Sequence, residues 1–267
     1  MSVPWRRSSG IDPDARAYCL RSGATDRRVM SDWVRGLKGL ALWEQCAGWT
    51  FLPGQCAGTG SVAHTVGGLY STNGTLVNGP TWGRGLTMTA ANAQYIATGT
   101  IQNAAAASIA VVCMIPSSTT VLQNNLFGDY GGFSTIGSYS LHFGSQNNGN
   151  SSFAGPSNPF TFSGNGSEGG INKGSGYYKD DKYHFLALSG NRAIPSNEFF
   201  QDGEFLQKFP TSANGILGQQ IYIGGVVNPP TATFAAALYF PTRLSQAQWA
   251  GVYQLYRSTL GKDLGLL

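Results

Sequence analysis

The chain has 267 residues, of which 37 are glycine and only 11% are charged, whereas about 25% of residues are charged in an ordinary soluble domain. Long solvent-exposed helices need many Lys, Glu and Arg residues, and disordered chains combine low hydrophobicity with high net charge, so the composition excludes both classes. With 42% hydrophobic and 12% aromatic residues, the sequence favours a large β-rich domain with many tight turns.

The charges are unevenly distributed along the sequence. Residues 1–50 contain eight basic residues, and so do residues 173–267. Residues 51–172 contain one basic residue, Arg84, and two acidic residues, Asp129 and Glu168. A free monomer usually carries more surface charge for solubility, so this pattern indicates a protein that works within an assembly.

The sequence predicts neither a signal peptide nor a membrane span. The first residues lack an apolar core, and no apolar run reaches the roughly 18–20 residues that cross a bilayer. We therefore expect synthesis in a cytoplasm, no membrane partner, and four free cysteine thiols, at Cys19, Cys46, Cys56 and Cys113.

Two helices are predicted after a basic arm over residues 1–10. Asp12, followed by proline, is expected to cap a first helix that ends at Ser22 before a left-handed Gly23. Thr25 is expected to cap a second helix, which the glycines at 36 and 39 weaken. Its apolar face is formed by residues at helical spacing: Met30, Trp33, Val34, Leu37 and Ala41.

We interpret residues 1–50 as an attachment segment that packs on the β domain or on a neighbouring protein. The candidate attachment residues are Arg6, Arg7, Arg27, Arg28, Met30, Trp33 and Leu37. A helix-turn-helix that contacts DNA phosphates through arginines is the alternative. Because the rest of the chain is not strongly basic, we expect no specific nucleic-acid partner.

Residues 51–267 are predicted to form one antiparallel β-sandwich that ends in a helix. Short apolar or alternating runs are separated by Gly, Asn, Ser and Pro, and no crossover helices intervene. The strands are expected at 75–77, 86–88, 95–97, 108–115, 125–129, 138–143, 151–153, 160–162, 183–189, 198–201, 204–207, 220–223 and 233–240. Asp202 and Gly203 fit the centre of a type I′ turn, and Ser245 with Gln248 forms a capping box.

Three segments of this region, in this order, resemble a family. They are NGTLVNGPTWGRGLTMTAANAQYI at 73–96, KYHFLALS, FFQDGEFL and IYIGG between 182 and 225, and AALYFPTRLSQAQWAGVY at 236–253. Together they resemble a laminin-G-like, concanavalin A-like jelly-roll domain. The resemblance covers roughly residues 70–260 and implies a mostly β jelly roll with a C-terminal helix, to which the N-terminal helices predicted above are added.

The layout of the whole chain resembles structural proteins of tailed bacteriophages. A helix opening on Asp-Pro-Asp-Ala at 12–15, the segment LKGLALW at 37–43, the jelly roll and a terminal Thr-Leu-Gly at 259–261 follow one another. This resemblance implies a virion component with capsid or tail proteins as partners and synthesis in the host cytoplasm. We further expect a homo-oligomer, with a trimer as the working hypothesis.

Catalytic chemistry is not expected. Some concanavalin A-like proteins are glycoside hydrolases that carry closely spaced carboxylates on one strand. Here Glu198, Asp202 and Glu204 straddle a predicted turn, so one strand face cannot hold all three. We interpret them as solvent-exposed turn carboxylates.

No cofactor is expected. The histidines and cysteines lack the compact spacing of zinc sites. The resemblance to laminin-G-like domains implies calcium as the alternative, because members of that family often bind one calcium ion through Asp, Asn and carbonyl oxygens. The candidate ligands are Asp129, Asp180 and Asp181.

The leading hypothesis is a non-enzymatic structural component of a bacteriophage virion, either a head decoration protein or fibre or a tail-associated protein. Its jelly roll would make assembly contacts and adhere to host-surface glycans. The alternatives are a carbohydrate-binding adhesion module proper and, third, a glycoside hydrolase. The candidate residues for stacking on sugar rings are Trp82, Tyr130, Tyr139, Tyr177 and Tyr178.

Overall fold

The computed structural model describes eleven segments of the chain, separated by gaps. They are residues 10–68, 72–102, 106–119, 123–128, 139–144, 160–164, 167–171, 180–191, 196–210, 219–226 and 230–266.

Three α-helices form where the sequence supplies caps. Helix α1 (Pro13–Ser22) starts at Asp12, whose carboxylate accepts the Asp14 N–H, and ends at Gly23 with φ +71°. Helix α3 (Gln246–Ser258) starts with the capping box predicted at Ser245. These two predictions are confirmed.

Helix α2 (Arg27–Gly39) differs from its prediction at its N-terminal cap and ends at the second of the two glycines expected to weaken it. Asp26 caps it instead of Thr25, because the Asp26 carboxylate accepts the Val29 N–H at 3.1 Å. The helix also continues through Gly36 without a break. A Cβ atom at Gly36 would lie 2.1 Å from Leu255 Cδ1, so glycine at this position permits the close approach of α3. A short 3₁₀ helix (Trp43–Gln45) follows.

The strands form two sheets in which the paired strands are antiparallel, as predicted. The first sheet has nine strands, in the order β15-β14-β13-β8-β17-β1-β3, with β6 also paired to β17 and β5 to β6. Its strands are β1 (Ala47–Thr50), β3 (Thr65–Val66), β5 (Thr81–Trp82), β6 (Leu86–Met88), β8 (Ala106–Met114), β13 (Tyr183–Asn191), β14 (Ser196–Gln201), β15 (Glu204–Pro210) and β17 (Ala232–Phe240).

The second sheet has eight strands, in the order β12-β11-β10-β9-β16-β7-β4-β2. Its strands are β2 (Val62–Ala63), β4 (Gly74–Val77), β7 (Tyr95–Gln102), β9 (Gln123–Gly128), β10 (Tyr139–Gly144), β11 (Phe160–Gly164), β12 (Ser167–Ile171) and β16 (Gln219–Ile223). The strand predicted at 151–153 lies outside the described residues.

Two hydrophobic cores divide the molecule into three layers. One core lies between the sheets, where Trp49 of the first sheet packs edge-on against Phe127 of the second, with ring centroids 6.3 Å apart. The other core lies between the first sheet and the helices, where Phe185 packs against Trp249 and Tyr256 of α3. The order of layers is therefore helices, first sheet, second sheet.

The segment before residue 51 is part of this architecture. It supplies α1 and α2 to the helical layer and β1 to the first sheet, where β1 lies between β17 and the edge strand β3. Met30, Trp33 and Leu37 are 0% exposed in the core of the chain itself. The prediction that these three side chains contact a partner is therefore wrong, because the apolar face of α2 is already covered by the sandwich.

The four cysteines are free, as predicted, and three of them are buried. None of the helices in the described part of the chain has the length and apolar character needed to span a bilayer.

Candidate functional site

The residues predicted to stack on sugars do not form a described cluster. Trp82 is half-buried: its ring packs 6.3 Å from Phe51, and its indole N–H donates to the Gly60 carbonyl at 3.1 Å. Tyr139 begins β10, whose backbone alone is described. Tyr130, Tyr177 and Tyr178 lie outside the described residues. Trp82 thus serves as packing at the edge of the core.

The arginines predicted for attachment are exposed wherever they are described. Arg27 and Arg28 occupy the first turn of α2 and point to solvent, whereas Arg6 and Arg7 lie outside the described residues. Cations in the first turn of a helix are disfavoured by the helix dipole. The stability of α2 therefore does not explain these two arginines.

The described calcium candidates are engaged by protein donors. Asp180 accepts the Lys182 N–H at 3.1 Å, and Asp181 accepts the Ser117 N–H at 3.0 Å. The hydrogen bond from Ser117 lowers the pKa of Asp181. Within the described segments, no three His, Cys, Asp or Glu residues converge on a point where a metal ion could bind. Asp129 lies outside these segments.

Two of the three carboxylates near the hairpin are not solvent-exposed turn groups. Glu198 forms an ion pair with Arg243 at 2.9 Å, and its side chain is 14% exposed. Asp202 accepts the Phe185 N–H at 2.9 Å. Only Glu204 is exposed as predicted. The turn folds back on β13, so the Asp202 carboxylate accepts the Phe185 N–H in place of a backbone carbonyl.

His184 lies between the carboxylates of Asp180 and Asp202. Its Nε2 lies 3.2 Å from Asp180 Oδ1 and its Nδ1 lies 3.4 Å from Asp202 Oδ2. Burial opposes the charged ring, but the hydrogen bonds and charges of Asp202 and Asp180 outweigh burial, so the pKa of His184 is raised. Because both ring nitrogens face carboxylate oxygens, the doubly protonated imidazolium is the form that satisfies both. This cluster fixes the hairpin to β13.

A cleft of about 440 Å³ lies between the loop after β1, the Arg84 turn and the C-terminal segment. Tyr183 of the first sheet lines it and donates its hydroxyl to the Arg84 carbonyl at 3.2 Å. Leu260 and Leu264, which follow α3, line the same cleft. Arg84, the one basic residue within residues 51–172, thus lies beside the C-terminal segment and the first sheet.

The helices pack on the first sheet, so they leave the outward face of the second sheet uncovered. We call its described part the open face. Along β7 and β16 the inward side chains, such as Ile96 and Ile223, enter the core, whereas the alternate residues are half-buried or exposed. The open face consists of the outward side chains Val62, Thr75, Val77, Tyr95, Ala97, Ile101, Gln220 and Tyr222.

Strand register aligns several of these residues in one row. Val62 pairs with Thr75, Thr75 with Ala97, and Ala97 with Tyr222, across β2, β4, β7 and β16. Tyr95 lies two residues before Ala97, so it is diagonal to Tyr222, within reach of an aromatic side chain. Small side chains at 75 and 97 leave room above the sheet next to the rings.

Tyr95 and Tyr222 form an aromatic corner on the open face. Their ring centroids are 5.8 Å apart and their planes are inclined by 76°. Burial and the neighbouring Tyr95 raise the pKa of the Tyr222 hydroxyl, so the hydroxyl stays protonated at neutral pH. The hydroxyl donates to Gln220 Oε1 at 3.5 Å. Two nearly perpendicular rings with neutral polar groups beside them suit a flat ligand that has one apolar face and several hydroxyl groups.

The sequence contained a signal for this corner. In the segments Tyr95-Ile96-Ala97 and Gln220-Ile221-Tyr222, tyrosine alternates with isoleucine, and alternation assigns the two residue types to opposite faces of a sheet. The pairing of β7 with β16, which are separated by more than a hundred residues, brings the two tyrosines together. Strand order of this kind cannot be obtained from local patterns.

No family model matches the sequence, and no curated protein does. Solved structures nevertheless share the fold. The receptor-binding domain of botulinum neurotoxin D is 9% identical with a TM-score of 0.56, and the match covers 79% of this chain and 52% of that one. Trypanosoma rangeli sialidase is 14% identical with a TM-score of 0.54, over 89% of this chain and 40% of the sialidase.

A third similar structure is the binding domain of botulinum neurotoxin DC in complex with rat synaptotagmin II, at 10% identity and a TM-score of 0.51 over 78% of this chain. This chain spans about half of the neurotoxin chains and less than half of the sialidase. The matches confirm the β-sandwich architecture.

Proposed function

We propose that the chain is a non-enzymatic binding protein whose open face takes glycans. The observation that carries this proposal is the Tyr95–Tyr222 corner on a sheet face that the helices leave uncovered. β-Sandwiches of this shape occur in a neurotoxin receptor-binding domain and in a sialidase solved with sialic acid. The architecture is thus compatible with a surface that recognises cell-surface molecules.

The chemistry of the open face fits a sugar ring. A pyranose has a C–H face that packs on an aromatic ring, and the second tyrosine forms a wall beside it. Sugar hydroxyl groups need donors and acceptors at the rim, which Thr75 and Gln220 provide. Few convergent polar groups around an apolar floor are typical of small-molecule sites.

The absence of catalysis is part of the proposal. Of the carboxylates near the hairpin, Glu198 is paired with Arg243, and Asp202 is held by His184 and by the Phe185 N–H. A glycosidase needs one carboxyl group to donate a proton and a second to act as nucleophile or base. Engaged carboxylates of this kind are better suited to holding the hairpin than to proton transfer.

A glycan array with the purified chain tests the proposal. We expect binding above background, and a loss of about tenfold in affinity, or ~1.4 kcal/mol, for Tyr95→Ala and for Tyr222→Ala. Phe205→Ala is the matched control, because Phe205 is a 40% exposed ring on the first sheet. No binding by the parent chain, or equal losses for the three variants, would overturn the proposal.

We further propose that the chain is displayed on a bacteriophage virion. The low charge of residues 51–172 and the layout resemblance motivate this assignment, and the exposed Arg27 and Arg28 remain as attachment residues. We expect a homo-oligomer, with a trimer as the mass that light scattering should find. Mass spectrometry of purified particles should find the chain in stoichiometric amount, and its absence from them would refute the virion role.

A further inference from the structure

We infer that the open face selects neutral glycans and discriminates against sialylated and other anionic ones. The inference rests on the proposed glycan-binding function and narrows its ligand class. It follows from the charge of the second sheet and from the surroundings of the aromatic corner.

A sugar carboxylate needs a cationic partner. Arg and Lys provide charge-assisted hydrogen bonds to carboxylates, and Arg does so in a bidentate geometry. The eight strands of the second sheet contain one charged residue, and it is the acidic Glu168. The one histidine on these strands is His142 of β10, whose backbone alone is described. A carboxylate on this sheet would therefore find no lysine or arginine on any of its strands.

The loops that join these strands add little positive charge. Between residues 62 and 171 the sequence has one basic residue, Arg84. Its backbone carbonyl accepts the hydroxyl of Tyr183, and it lines the cleft beside the C-terminal segment. The next basic residues in the sequence are Lys173 and Lys179, which follow β12 and lie outside the described residues.

The apolar residues on the open face add a second penalty for an anion. Val62 and Ile101 are each 41% exposed and lie on the same face as the two tyrosines. A carboxylate that loses water against apolar side chains without a paired cation is strongly disfavoured. A neutral hydroxyl group placed next to Thr75 or Gln220 meets no such cost, because both side chains donate and accept hydrogen bonds.

The ligand of one structural neighbour differs from this expectation. The sialidase has been solved with sialic acid, an anionic sugar, and its identity to this chain is 14%. At that identity the fold is shared, whereas the ligand is set by side chains on the surface. The strands of the second sheet, which carry no lysine or arginine, therefore point to a different class of sugar.

Paired glycans that differ in one charge test the inference directly. The probes are a galactose-terminated oligosaccharide, the same oligosaccharide capped with sialic acid, and the methyl ester of the capped form, each titrated against the full chain by calorimetry. We expect the neutral probe to bind at least about tenfold more tightly than the sialylated one. The methyl ester should recover most of that difference, because it removes the charge and keeps the sugar.

A single variant should weaken the discrimination. Thr75→Lys places a cation in the row that contains Ala97 and Tyr222, so it should narrow the ratio between neutral and sialylated probes. Thr75→Gln is the size control, and Glu204→Lys is the charge control, because Glu204 is exposed on the first sheet. Neither control should change the ratio.

The outcomes separate the inference from the function on which it rests. Equal or tighter binding of the sialylated probe, abolished by Tyr222→Ala, would overturn the neutral-glycan inference and leave the glycan-binding function in place. The inference would also be overturned if Glu204→Lys changed the affinity ratio between the neutral and sialylated probes as much as Thr75→Lys does. The discrimination would then follow the net charge of the chain and not the open face. Binding of none of the three probes, together with an empty glycan array, would overturn the proposed function itself.

Discussion

Replacing His184 with glutamine should make the chain less stable at acidic pH and leave its stability nearly unchanged at alkaline pH. His184 joins Asp180, three residues before β13 begins, to Asp202 in the β14–β15 turn, and its side chain is 11% exposed. Because the pKa of His184 is raised, the two ion pairs stabilise the fold fully below the ordinary histidine pKa, about 6.5. This contribution is lost as the pH rises through the raised value.

The size of the effect follows from the contacts that remain in the variant. Asp202 keeps the Phe185 N–H at 2.9 Å and the Gln201 side-chain amide at 3.1 Å, and Asp180 keeps the Lys182 N–H. No carboxylate is therefore left without a donor. The loss at acidic pH is close to that of one hydrogen bond to a charged group, about 1.5–3 kcal/mol.

Urea unfolding of the parent chain and of His184→Gln, followed at intervals from about pH 5 to about pH 9, measures this difference. The difference in unfolding free energy between the parent and the variant should shrink as the pH rises. Its slope should not exceed about 1.4 kcal/mol per pH unit, because one proton is involved. His64→Gln is the control, since His64 takes part in none of the ion pairs between described residues. A gap that stays constant with pH, or grows as pH rises, would refute the role of the imidazolium.

Three further outcomes are expected. Gly203→Ala should lower the unfolding free energy by about 2–4 kcal/mol in urea titrations, because Gly203 has φ +81° and a Cβ atom there would lie 2.4 Å from Tyr253 Cδ1. Ser189→Ala should cost about 1–3 kcal/mol in the same assay, since the buried Ser189 hydroxyl accepts the Trp249 indole N–H at 2.7 Å and bonds Ser108 at 2.8 Å. Adding a calcium chelator should leave the thermal midpoint unchanged, because the described calcium candidates are held by protein donors.

The strands and helices with strong local signals were predictable from the sequence. The Asp202-Gly203 turn has φ +48° and +81°, as a type I′ turn requires, and the long strands β8, β13 and β17 match apolar runs. The short strands β1, β2, β3 and β5 were missed, because two to four residues cannot display a period. Strand β12 was also missed, because its sequence SEGGI has one apolar side chain, lies in a glycine-rich stretch and is typical of a loop.

The candidate site was less predictable than the fold. Trp82 looked like a sugar-stacking residue by its type, but its indole N–H bonds Gly60 and its ring packs on Phe51. Met30 and Trp33 looked like attachment residues by their spacing, but helical spacing alone does not say which protein covers the face. Tyr95 and Tyr222 became a pair only through the β7–β16 pairing, which is a long-range contact.

The three-layer structure shows that charged residues are fewest on the strands of the second sheet. The helical layer exposes Arg27 and Arg28, whereas the strands of the second sheet carry the lone charge of Glu168. The first sheet separates these two layers, so the arginines and the open face lie on opposite sides of the molecule. Attachment through the helical layer would therefore turn the aromatic corner outward. An uncharged outer face is also not repelled by the strongly charged surfaces of cells, whatever their sign, which suits the proposed binding of neutral sugars.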